Sequence, residues 1–98
     1  MSEEERGVER NDVESARWHM KAAEQGEGIA QLRLGSMLYE GRGVPQNYTH
    51  AYAWASLAAA SLPGNDVEKA AALRDQIAAK LTPDMIVEAQ SLATLLKH

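Results

Sequence analysis

Apolar residues return every three or four positions in five separate runs along the chain, with turn-forming residues between the runs. That spacing stacks apolar side chains on one side of an α-helix, whose period is about 3.6 residues. The first run predicts a helix from about Asp12 to Gln25, with a stripe of Val13, Ala16, Met20 and Ala23 that Trp18 and Ala22 widen. Asn11 or Asp12 can cap its free amides, and Gly26 stands where a left-handed stop is expected.

The second run predicts a helix from about Gly28 to Glu40. On a wheel of about 100° per residue, Ala30, Leu34, Met37 and Leu38 cluster on one side. Gly35, Tyr39 and Leu32 carry the apolar arc almost around it, leaving Arg33, Ser36 and Glu40 as the coherent polar strip. A helix so covered belongs between neighbours. Gly41-Arg42-Gly43-Val44-Pro45 then breaks it: glycine supplies positive φ, and Pro45 forces Val44 to be extended.

Asn47 caps a third helix over Tyr48 to Ser61, with Ala51, Tyr52, Trp54, Ala55, Ala58, Ala59 and Leu62 spaced for a broad buried face. After the Leu62-Pro63-Gly64-Asn65 turn, Asn65 or Asp66 is expected to cap a fourth helix running to about Lys80. Its apolar side is Val67, Ala70, Ala71, Leu73, Ile77, Ala78 and Leu81. Thr82-Pro83-Asp84 restarts the chain with a capping hydroxyl, a proline in the first turn and a carboxylate at the positive end of the dipole. Met85, Ile86, Ala89, Leu92, Ala93 and Leu96 give the last helix its apolar face.

The pattern also repeats. A shift of 36 residues superimposes Arg6, Gly7, Val8, Asn11, Trp18, Ala22 and Ala23 on Arg42, Gly43, Val44, Asn47, Trp54, Ala58 and Ala59. Self-similarity at such a period marks a solenoid, whose units bury their apolar faces only against a neighbour. The repeat fades after Ala59, so the expected organisation is an acidic segment at 1–10, repeat helices at 11–62 and a capping helix pair at 63–98. The fold class is all-α, an α/α superhelix of about five helices. In it Trp18 and Trp54 would wedge between helix pairs, and Gly35, Ala23 and Ala59 would let helices approach closely.

Composition narrows the function. The net charge of −4 resides in residues 1–14, and the remaining charges cancel. With no basic stripe to neutralise phosphates, nucleic acid is not the expected partner. There is no cysteine for a disulfide or a thiolate metal site. The start lacks the apolar core of a secretory leader, and no run is long enough to span a membrane. The expected location is cytoplasmic, or periplasmic if a leader was removed.

No catalytic constellation emerges. His19, His50 and His98 are far apart, without the i, i+4 partner a metal helix needs. The acidic residues lie near basic ones at helical spacing, Glu14 with Arg17 and Glu24 with Lys21, and read as a solvated face. The Gly41–Gly43 loop lacks the strand before it and the Lys-Ser/Thr after it that phosphate binding requires. The chain is therefore expected to be no enzyme and to hold no cofactor or metal.

Ala22-Ala23-Glu24-Gln25-Gly26, Ala30-Gln31, Leu34-Gly35, Tyr39, Gly41-x-Gly43-Val44-Pro45-Gln46 and Ala51-x-x-Trp54 together resemble the Sel-one-like repeat (SLR), a branch of the tetratricopeptide-type helical repeats. The likeness covers about residues 7–62, and the stretch from Ala70 to Leu95 is similar to the tail of many bacterial members. Gly28 takes a place where the family usually has Ala, a change expected to matter little. The resemblance implies an adaptor that binds a protein or peptide. Its structural residues would be Trp18, Ala22, Ala23, Gly26, Ala30, Leu34, Gly35, Gly41, Gly43, Ala51, Trp54, Ala58 and Ala59.

In helical repeats the first helix of each pair lines the concave side. The partner-facing candidates are therefore Arg33, Ser36 and Glu40, with Tyr39 and Arg42 at the groove edge. The alternative is self-association, a homodimer through the uncovered first helix at Val13, Met20 and the flank of Trp18.

Overall fold

A computed structural model describes the backbone of residues 2–97 and the side chains of residues 12–97. Five helices and no strand make up the described residues: α1 (Ser2–Glu24), α2 (Gly28–Glu40), α3 (Tyr48–Ser61), α4 (Asn65–Ala78) and α5 (Pro83–Lys97). The all-α expectation holds, with each of the five expected helices present and α2 to α5 close to their expected bounds.

α3 is the hub. Its neighbours are α2, α4 and α5, while α1 packs chiefly on α2. The composition of α3 fits that position, because Ala51, Tyr52, Ala53, Trp54 and Ala55 are all buried in succession, and Ala58 after them. A run buried on every side needs small residues wherever another backbone crosses, and four of those six are alanine. The main core joins Leu34 and Leu38 of α2, Trp54 and Tyr52 of α3, Ile77 of α4 and Ala89 of α5. A smaller cluster of Ala58, Leu62 and Ala70 closes the α3–α4 turn. α4 and α5, expected as a capping pair, lie mainly against α3 rather than against each other.

Glycine sets one close helix approach and ends two helices. Gly35 is buried where α2 crosses α3, and a Cβ there would lie 3.2 Å from the Ala51 carbonyl oxygen. Gly26 (φ 95°) ends α1 as expected, with the Glu27 N–H donating to the Ala22 carbonyl and the Gly26 N–H to that of Ala23. Those two bonds satisfy carbonyls that the helix end would otherwise leave free. Gly41 (φ 73°) ends α2 in the same left-handed way. Asn47 caps α3 by accepting from the His50 N–H at 3.0 Å, and the Thr82 hydroxyl caps α5 by accepting from the Met85 N–H at 3.2 Å.

Four expectations are corrected. α1 begins at Ser2 rather than near Asp12, so Asn11 and Asp12 lie inside the helix and do not cap it. α4 starts one residue after Gly64, which takes the cap position itself in place of Asn65 or Asp66. Gly28 is not interchangeable with alanine here, because a Cβ would lie 2.7 Å from Leu62 Cδ2, and the buried Leu62 would have to move. The expected wedge at Trp18 is absent: Trp54 is 4% exposed and Trp18 is 74% exposed. α3 has helices around it to enclose an indole, whereas α1 offers its inner side to α2 through Ala16 and Ala23 and turns Trp18 outward.

Gln31 is a buried polar residue the apolar pattern did not single out. Its Nε2 donates to the Ala23 carbonyl at 3.1 Å, tying α2 to the end of α1, while its buried Oε1 has no protein partner among the described residues. The Ala23 carbonyl keeps the Gly26 N–H at 3.0 Å without Gln31. Gln31→Met, of similar length, therefore orphans nothing and is expected to change stability by less than about 1 kcal/mol in a urea melt. A loss several times larger would show that the amide clamp holds the α1–α2 turn.

Candidate functional site

The polar strip of α2 divides in two. Arg33 and Ser36 line a groove of about 350 Å³ between α2 and α4, whose apolar part is Ile29, Leu32 and Leu73. Asp66 and Lys69 of α4 complete it, so charges of both signs flank an apolar floor. Ile29 is 46% exposed, a large apolar side chain left available on that side. The groove exists because α2 and α4 touch only lightly while both pack firmly on α3.

Glu40, Tyr39 and Arg42 sit beyond the groove. The Arg42 Nε lies 3.0 Å from Glu40 Oε1, an ion pair across the start of the loop with both side chains about half exposed. Tyr39 pairs with Tyr48, ring centroids 5.6 Å apart, and its carbonyl accepts from Gln46 Nε2 at 2.9 Å. These contacts fold the α2–α3 loop back on its own helix. The structure thus brings Arg33 and Ser36 together, and separates them from the other three.

Sequence reasoning missed the α4 wall of the groove. In the sequence Asp66 stands as a candidate cap and Leu73 on the apolar side of the fourth helix, and nothing singles out Lys69. What could have found them is the parity of a helical array, in which the helix after a complete pair sits beside the first helix of that pair.

A second groove lies between the start of α3 and α5, lined by Asn47, Thr49, His50, Glu88, Ser91, Leu92 and Leu95. The outward side of α1 is the third exposed feature: Glu14, Arg17, Trp18 and Lys21 line a shallow depression. The Glu14–Arg17 and Lys21–Glu24 pairs expected from spacing do not close, since the ion pairs within 4 Å among the described residues are Glu40–Arg42 and Arg74–Asp75. His19 is engaged within its own helix, its Nδ1 lying 2.7 Å from the Ser15 carbonyl oxygen. No group of three His, Cys, Asp or Glu among the described residues could hold a metal ion.

The model of the Sel1 repeat matches residues 1–27 and again residues 28–61. The chain belongs to the Sel1 repeat family. Neither the comparison with curated proteins nor that with solved structures returned a match. The two matches meet between Glu27 and Gly28, just past the glycine stop of α1. α2, its glycine loop and α3 thus fill the second match, while α1 lies in the first. α4 and α5 lie outside both. Sel1 repeats are non-catalytic helical repeats that generally mediate contacts between proteins. No described helix is long and apolar enough to cross a membrane.

Proposed function

We propose that this Sel1-repeat chain is an adaptor that binds a segment of another protein along the α2–α4 groove, without catalysis of its own. The observation that carries the reading is the groove itself, an apolar floor of Ile29, Leu32 and Leu73 edged by Arg33, Ser36, Asp66 and Lys69. A peptide seated there buries apolar side chains on the floor and takes its register from the charges, with Arg33 and Lys69 meeting acidic groups of the partner. Glu40, two helical turns on from Arg33 and so on the same face of α2, would meet a longer partner together with its ion-pair partner Arg42, and Tyr39 would add to that contact at the edge.

Affinity capture with the natural protein as bait tests this. Arg33→Ala combined with Lys69→Ala removes two exposed cations and no core contact, so the helical content and melting temperature should stay as they are. Capture of the specific partner should fall at least about tenfold. Undiminished capture by the folded double variant rejects the groove. Glu40→Ala, which breaks only the local pair with Arg42, should have the smaller effect.

A further inference from the structure

The outward side of α1 is accounted for by neither the groove nor the core. A tryptophan 74% exposed is unusual because its ring is the largest apolar surface a side chain offers. Glu14, Arg17 and Lys21 surround it, and among the described residues none of the three is in an ion pair within 4 Å. Positions 14, 17, 18 and 21 are neighbours on one helical face, at spacings of three and four.

Their order is self-complementary. If two copies of this face pair antiparallel about a two-fold axis between positions 17 and 18, position 14 falls opposite 21 and position 17 opposite 18. Each Glu14 then meets a lysine and each Trp18 an arginine. A parallel pairing does the reverse, setting Glu14 on Glu14 and Lys21 on Lys21. The antiparallel arrangement also places opposite ends of the two helix dipoles together.

We propose that α1 docks on α1 of a second copy in an antiparallel, two-fold dimer, with Glu14 paired to the partner subunit's Lys21 and Trp18 stacked beneath the partner subunit's Arg17. The guanidinium over an indole face is an attractive cation–π contact, and one two-fold axis makes every such contact twice. Two indoles and the aliphatic stems of the charged residues bury on the order of 1,000 Å², the lower end for a specific interface. The dimer is accordingly weak, with a Kd on the order of 10–100 µM. It shares no residue with the α2–α4 groove, so either can fail without the other.

Sedimentation velocity of the whole chain from about 1 µM to about 1 mM should show a monomer giving way to a dimer. As the dimer forms, tryptophan emission should move to shorter wavelength, because Trp18 leaves water while the buried Trp54 does not change. Trp18→Ala should raise the Kd at least about tenfold. Glu14→Lys and Lys21→Glu, each like-charged across the axis, should remain monomeric alone and dimerise when mixed, since the mixture restores opposite charges at both contacts. A wild-type chain that stays monomeric throughout, a Trp18→Ala variant that dimerises as wild type does, or a mixture of the two charge variants no more associated than either alone would each overturn the dimer.

Discussion

Trp54→Ala is expected to lower the unfolding free energy by about 3–5 kcal/mol, while Trp18→Ala in dilute solution changes it by no more than about 0.5 kcal/mol. The two tryptophans occupy the same position of the repeat, 36 residues apart, so a difference between them measures surroundings and not residue type. Trp54 is 4% exposed and packs in the main core. Truncating it removes the transfer free energy of an indole and leaves a cavity that alanine neighbours such as Ala51 and Ala55 cannot reach across to fill. A domain of this size is stable by only about 5–15 kcal/mol in total, so the loss should remove much of the protein's stability. Thermal melts followed by circular dichroism, at concentrations too low for self-association, check both variants. Equal losses for the two would show that Trp18 is buried in solution.

The sequence did carry the sign of this difference, in the residues beside each tryptophan. Flanking Trp54 are Ala51, Ala53, Ala55 and Leu57; at the equivalent positions around Trp18 stand Ser15, Arg17, His19 and Lys21. An apolar flank fits a helix enclosed by others, and a charged one a helix with a free side. The repeat register hid this because it weighs matching residues and passes over those that differ. Helix existence, the turn at Gly26 and the caps at Asn47 and Thr82 were legible, since each depends on residues close in sequence. The groove was half legible. Arg33 and Ser36 follow from the periodicity of α2, but their neighbours Asp66, Lys69 and Leu73 come from a helix some thirty residues on, brought there by packing on α3. The burial of Gln31 was illegible in the same way, because only the crossing of α1 and α2 puts the Ala23 carbonyl within reach.

Gly43→Ala is expected to cost about 2–4 kcal/mol, more than Gly26→Ala, although both glycines have positive φ (74° and 95°). At Gly26 an added Cβ meets nothing within 4 Å, so the penalty there is the left-handed backbone alone, about 1–2 kcal/mol. At Gly43 the same atom would overlap the carbonyl oxygen of Asp12 and lie 2.5 Å from its carbonyl carbon. Those are backbone atoms within α1, and they cannot rotate away as a side chain would. The loop after α2 therefore rests directly on the helix of the preceding unit, and Gly43 both turns the chain and couples one repeat to the next. Its replacement should loosen α1 first: amide exchange should accelerate in residues 12–24 while the α3 core, enclosed by α2, α4 and α5, stays protected. Urea melts give the size of the effect and hydrogen exchange gives its place. Identical costs for Gly26→Ala and Gly43→Ala would mean that the loop does not touch α1, and that the glycine serves the turn alone.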